Sequence, residues 1–522
     1  MYMFHDALVS FAERRVIYMN EKKRLAINLT AQMMAFAVNM GVSFLVTPII
    51  ESISTELSGF VGLANNFITC AQIVVSALNT MASRFITIHI HQKDEEQANE
   101  YFSSVFYGNL MMAGIFLIPM LTLVIFVDSF FQVPPLYVTD VRILWLFLFA
   151  NFFLSIIGSV FSVATYCKNR LDLTSIRTIH AEIIRVVFLV VAYKFFPKYI
   201  WYIGVASLLH TSYLTFSNVQ FTKRLLPEIH VERKYFRWKK VWELISLGLW
   251  NSLTRLSQVL LDELDIFISN IFIGATAMSA LSNAKMVPTA ISGLMGTVVG
   301  VFSPQITIAY AQGDKKKLID IIKSSNRIMI FIMSIPLAFV TAYGDIFFSL
   351  WLPKRDPHEM HALAMLSMGV LYVSMSIQVL YHVFIITKKV KLNSIVMIIS
   401  GVLSTTLVFL LLNVTDLGLY VIAGVSTVLG LLRNLIFTPI YASKCLEVKW
   451  TTFYGDIFTG LLSIASITVV GLISRAVVDI HSYVTLIGVG IVVGIIAMIL
   501  NFFIILKKAD RKLLIDKVMR RG

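Results

Sequence analysis

Charged side chains are scarce in this sequence. Asp, Glu, Lys and Arg make up 14% of its 522 residues, against about a quarter in an ordinary soluble domain. Hydrophobic residues reach 57%, and apolar runs of about 20 residues or more recur along the chain, which excludes a water-soluble globule. Cysteine is nearly absent. Cys70, Cys167 and Cys445 have no paired or metal-ligand spacing, so neither a disulfide framework nor a metal site is expected. There is no P-loop and no Gly-rich dinucleotide turn, and the longest loop, about 221–238, is too short to hold an ATPase. No cofactor is therefore expected. An enzyme is not expected either, because the one acidic loop, HQKDEEQANE (91–100), reads as a solvated crossing.

What remains is an all-α polytopic membrane protein. The first 24 residues are polar and basic, and the apolar run 25–50 is too long for a signal-peptide core. Apolar segments between polar breaks predict about 14 transmembrane helices, near 25–50, 57–88, 102–127, 140–166, 176–196, 199–222, 239–273, 276–310, 324–343, 360–386, 392–413, 417–441, 455–478 and 483–506. Basic residues test that count. Of 44 Lys and Arg, 32 fall in alternate loops and the two tails, whereas the opposite loops hold Lys194, Lys198, Lys354 and Arg355. Positive charge stays on the cytoplasmic side, so both termini are expected there. The net charge of +14 then belongs to loops facing anionic lipid, and no nucleic acid is expected.

An internal repeat organises the helices. A shift of 220 residues lays RFITIHIHQKDEEQ (84–97) on PQITIAYAQGDKKK (304–317) and carries Lys168 onto Lys388. The simplest account is a parallel pseudo-repeat of two six-helix lobes with two further helices. It predicts a cytoplasmic basic tail (1–24), an N-terminal lobe (25–222), an inter-lobe loop (223–238), a C-terminal lobe (239–441), helices 13 and 14 (455–506) and a second basic tail (507–522).

Polar residues recur on single helix faces inside these runs. Asn65, Thr69, Gln72, Ser76, Asn79 and Ser83 follow a spacing of three or four, and the shifted positions offer Lys285, Thr289, Ser292, Gly296 and Ser303. Such stripes line a polar cavity or bond a neighbouring helix. Gly293, Gly296 and Gly300 suggest close helix packing. The stretch WNSLTRLSQVLLDELDIFISNIFIG (250–274) carries the heaviest load. Arg255, Asp262, Glu263 and Asp265 share one broad face there, since Asp262 lies within about 20° of Arg255 and its two acidic neighbours within about 80°. Leu256, Leu260, Leu264, Phe267 and Ile271 lie roughly opposite. About the turn at Gly274, similar depth predicts a pair between Lys285 and Asp262 or Glu263. Arg185, Arg255, Lys285 and Arg433 are the cations deep in the spans. Glu182 and Arg185 are spaced to pair along one helix, while His180, His210 and His382 look isolated.

The segments LDELDIFISNIFIGATAMSAL, VFSPQITIAYAQGDKKKL, DIFFSLWLP and TELSGFVGLANNF resemble, in that joint pattern, polysaccharide flippases of the multidrug/oligosaccharidyl-lipid/polysaccharide (MOP) exporter superfamily. The resemblance covers most of the chain. It implies a V-shaped pair of lobes around a cavity, in the bacterial inner membrane. It also implies flipping of a polyprenyl-pyrophosphate-linked oligosaccharide for O-antigen or lipopolysaccharide-type synthesis, by a monomer that meets polysaccharide-assembly proteins. Arg255, Lys285 and Arg433 would then attract the pyrophosphate, while Asn65, Thr69, Gln72, Ser76 and Thr289 bond sugar hydroxyls. Asp262, Glu263 and Asp265 would balance charge or couple H⁺ or Na⁺. A lipid II-type flippase and a multidrug/cation antiporter are the alternatives within the superfamily, and a transport-inactive scaffold is a third.

Overall fold

The structure, a computed structural model, describes residues 21–168, 170–259, 264–387 and 389–505. Among these residues the regular elements are helical and no strand occurs. The first six helices are α1 (Glu21–Ile53), α2 (Ser58–His91), α3 (Glu95–Ile125), α4 (Val138–Gly158), α5 (Leu171–Phe195) and α6 (Tyr202–Leu225). Then come α7 (Trp238–Gln258), α8 (Leu264–Phe272), α9 (Ala275–Ala311), α10 (Lys315–Trp351) and α11 (Pro357–Met368). The last four are α12 (Val390–Val414), α13 (Leu419–Leu432), α14 (Tyr454–Val477) and α15 (Tyr483–Ile504). The basic tails, 1–20 and 506–522, lie outside the described residues.

Ten spans among the described residues are long and apolar enough to cross a membrane. The other four expected spans are also helical, at α5, α6, α7 with α8, and α9, and they hold Glu182, Arg185, His210, Arg255 and Lys285. Burial is inverted relative to a soluble protein. Leu45, Ile115, Ile118 and Val484 are exposed whereas Ser103, Ser279, Ser334 and Asn501 are fully buried. That is the pattern of a chain whose outer solvent is hydrocarbon and whose polar groups must satisfy one another.

The 220-residue repeat reappears in the local structure. α3 begins at Glu95 and α10 at Lys315. Before each lies a left-handed residue, Lys93 (φ 60°) and Gly313 (φ 70°). Asp94 and Asp314 follow, and their carboxylates accept from the backbone N–H of Gln97 and Lys317. Both caps satisfy free N–H groups and place an anion at the positive helix end.

Two expected spans are interrupted. The tenth runs as α11, Leu371–Ile377 and Leu380–Ile386. Its first break has a visible cause, because Thr427 Oγ1 donates to the Leu366 carbonyl, an insertion that bends helices. The twelfth passes through a π segment, Arg433–Phe437.

Contacts divide the chain into two compact units. The first comprises 1–44, 77–119 and 146–248. It packs Leu78, Phe102 and Phe152 around a polar knot in which Asn79, Asn109 and Ser159 bond one another at 2.9–3.1 Å. Asn79, part of the predicted stripe, therefore joins helices. The second comprises 45–76, 120–145 and 249–522. Phe67 anchors it, meeting the rings of Phe131, Trp145 and Phe267 at centroid distances of 4.5–5.8 Å. Phe267, on the apolar face opposite the charges, thus packs into an aromatic cluster, whose edge-to-face contacts hold it there.

Gly248 in α7 sets the closest helix approach in the first unit. An added Cβ would stand 1.9 Å from the Ala77 carbonyl oxygen, and backbone cannot step aside. At Gly296 and Gly300 a Cβ meets nothing within 4 Å, so the expected close packing there is corrected: those glycines face open space. Gly248→Ala is expected to cost about 1–3 kcal/mol as overpacking, and Gly296→Ala to leave stability unchanged. Thermal unfolding of the two purified variants in detergent measures the contrast.

Candidate functional site

The short helix α8 and the start of α9 form a hairpin that turns at Gly274, where φ is +136°. Asp265 sits in the first turn of α8, and its Oδ2 accepts from Lys285 Nζ at 2.7 Å. Their side chains are 6% and 17% exposed. The expected lysine is therefore held by an aspartate, and the partner seen is Asp265. Asp262 and Glu263 lie outside the described residues, as do the side chains of Arg255 in α7 and Ser76 in α2.

On α8, Ser269 and Asn270 are fully buried in protein. Asn270 Oδ1 accepts from the Gln132 backbone N–H at 3.0 Å, so this face docks the loop ahead of α4. Asn65, Gln72 and Thr289 are exposed and Thr69 is half-buried, with its hydroxyl returned to the Asn65 carbonyl. Polar surface on otherwise apolar helices is thus present at these positions. Arg433 is half-buried in its π segment and donates to Asn434 Oδ1 at 3.3 Å, leaving Nη1 without a partner among the described residues. The structure shows no bond from Arg433 to the Lys285–Asp265 pair.

A second charged cluster was not anticipated. Glu51, at the end of α1, meets Arg355, one residue ahead of the Asp356 cap of α11. The guanidinium engages both carboxylate oxygens, at 3.0 and 3.2 Å, with 8% and 4% side-chain exposure. The guanidinium also donates to Ser279 Oγ at 2.7 Å and to the carbonyls of Thr55 and Thr276. Glu51 accepts further bonds from Ser58 and Asn283. Nearly every polar atom is answered, which is what allows two charges to stay desolvated. Gly59 makes this approach possible, since a Cβ there would lie 2.9 Å from the Ser279 backbone. Beside Arg355 opens a pocket of about 720 Å³, lined in part by Glu56, Gln132, Thr276, Glu359 and Tyr420.

Only one sequence signal pointed to the cluster: Lys354 and Arg355 are half of the four cations on the charge-poor side, and Glu51 closes an otherwise uncharged apolar run. The 304 residues between Glu51 and Arg355 hid the rest.

Comparison with known proteins places this arrangement. Residues 22–309 match the polysaccharide biosynthesis protein family. The chain belongs to that family. A curated relative, the uncharacterized membrane protein EpsK of Bacillus subtilis (strain 168), is 26% identical over 495 residues, covering 95% of this chain and 98% of its own. Among solved structures, the lipid II flippase MurJ in an inward closed conformation superposes with a TM-score of 0.67 at 13% identity, over 91% of this chain and 98% of its own. An inward-facing multidrug resistance MATE family transporter of the MOP superfamily gives 0.66 at 13% identity, over 81% and 98%. The polysaccharide biosynthesis chain therefore has the MOP fold.

Removing one partner from a buried ion pair leaves an uncompensated charge, at a cost of about 3–5 kcal/mol. Arg355→Met is accordingly expected to lower the unfolding temperature sharply. The double variant Glu51→Gln/Arg355→Met should recover part of the loss, because it buries no lone charge. Differential scanning fluorimetry on the three proteins distinguishes this order from simple additivity.

Proposed function

We infer that this chain flips a polyprenyl-pyrophosphate-linked oligosaccharide from the cytoplasmic to the outer leaflet of the bacterial inner membrane, for synthesis of a surface polysaccharide of the O-antigen or capsule kind. One observation carries the reading: a half-buried lysine, Lys285, held ready by Asp265 within a helix hairpin of a polysaccharide biosynthesis protein. A lipid diphosphate is a dense anion, and a cation inside a membrane protein is costly unless it has a partner or a task. Asp265 supplies the partner when substrate is away, and the pyrophosphate replaces it on arrival. Arg255 and Arg433 add positive potential, while Asn65, Thr69, Gln72, Ser76 and Thr289 bond sugar hydroxyls. Asp262 and Glu263 balance those cations.

The charge asymmetry of the loops supports cytoplasmic termini, which puts Lys354 and Arg355 on the outer side. In this reading the Glu51–Arg355 network is a latch on the outer end, closed while substrate loads from the cytoplasm. Opening it needs compensation for two buried charges, which the outer water supplies once the helices part. The pocket beside Arg355 then lies on the exit side. The chain works as a monomer, and its contacts with assembly proteins are made after release.

The test is leaflet-resolved flipping of undecaprenyl-pyrophosphate oligosaccharide in proteoliposomes. Wild-type protein is expected to accelerate flipping, and Lys285→Ala to slow it about tenfold or more, the worth of one charge-assisted hydrogen bond. Normal rates in Arg255→Ala, Lys285→Ala and Arg433→Ala alike would overturn the site. Organic-cation efflux without flipping would select an antiporter. No flux of either kind would select a scaffold.

A further inference from the structure

The first unit holds a buried acid that the proposed transport site does not use. Glu182, on α5, is fully buried. Its Oε1 accepts from Asn39 Nδ2 on α1 and stands 3.3 Å from His210 Nε2 on α6. Its Oε2 lies 3.5 Å from Arg185 Nη1, one turn along its own helix. The side chains of His210 and Arg185 are 17% and 16% exposed. Histidine and arginine are thus the charged or titratable groups facing the carboxylate, and Asn39 is the neutral one. The two oxygens are divided between a permanent cation and a titratable ring. His210 Nε2 lacks a well-formed hydrogen bond among the described residues, although the carboxylate oxygen is close.

We propose that Glu182 and His210 form a proton-binding site that couples transport to the proton gradient. This rests on the transporter reading above and adds the ion and its place. The charge balance is simple. With neutral histidine, Glu182 and Arg185 cancel, and the cluster can be sealed inside the lobe at no net charge. A proton taken up from water turns the ring into an imidazolium, whose Nε2–H donates a charge-assisted hydrogen bond to Glu182 Oε1. The cluster now carries one positive charge, which is expensive to seal away from water. Loading therefore favours a conformation that wets the site, and release favours one that closes it. A resident Arg185 disfavours sodium, because the carboxylate charge is already neutralised. Glu51 and Asp265 lack this property, since Arg355 and Lys285, both permanent cations near neutral pH, close them. Histidine alone among these partners changes charge between about pH 5 and 8.

Two measurements on the full-length protein separate this proposal from the one it rests on. The first is proton uptake in weakly buffered detergent solution, read with a pH dye between about pH 5 and 8. Wild-type protein is expected to bind about one proton more than His210→Asn, a variant that leaves the Glu182–Arg185 pair intact. The second is flipping in proteoliposomes under an imposed pH gradient. With one proton per substrate, each pH unit is expected to change the final leaflet ratio about tenfold, and His210→Asn should flip without responding to the gradient. Equal proton uptake by wild type and His210→Asn would overturn the proposal, as would a wild-type response to a sodium gradient in place of a proton gradient. If His210-dependent uptake is present but no protein flips lipid, the transporter reading fails and the proton site stands.

Discussion

An ion inside a bilayer must carry its solvent with it, and in this protein that solvent is another side chain. Arg355 is surrounded by Glu51, a serine and two backbone carbonyls, Lys285 by Asp265, and Arg475 by both oxygens of Asp345 at 2.6 and 2.8 Å. The Glu51–Arg355 and Asp345–Arg475 pairs tie together elements far apart in sequence and Lys285–Asp265 closes a hairpin, so the requirement to neutralise charge also decides which helices meet. Apolar contact does not supply such instructions, because a leucine is as comfortable against lipid as against another helix.

The repeat explains how two halves of one fold come to do different work. The backbone signals agree: a left-handed residue, an aspartate cap and a helix start occur 220 residues apart at Lys93–Glu95 and Gly313–Lys315. The buried chemistry does not. Lys285 falls on Asn65 under the shift, and Glu182 falls on Val402, which is exposed. A common scaffold has therefore been kept while its charges were distributed to one copy or the other.

Much of this architecture was legible in the sequence, because lipid imposes a simple code. Long apolar runs fix helices, and the loop cations give the direction expected for them. The helices α5, α6 and α9 form where those rules put them. Side-chain pairing was less accessible. Equal depth about Gly274 pointed Lys285 at Asp262 or Glu263, which lie outside the described residues; the bond seen among the described ones runs to Asp265. His210 looked isolated because its partner lies on the preceding helix, and Glu51 and Arg355 are joined only by tertiary folding.

The last two helices bring out a different consequence. α15 is apolar almost all round, yet its fully buried Asn501 donates to Ser334 Oγ at 2.8 Å and to the Phe331 carbonyl at 3.1 Å, and accepts from Ser463 of α14. Since hydrocarbon offers such a helix no reason to leave the lipid, these few polar bonds are what recruit it. The last two helices are accordingly fixed in register against α10 by directional bonds that lipid cannot replace, Asn501 of α15 through Ser334 and Arg475 of α14 through Asp345.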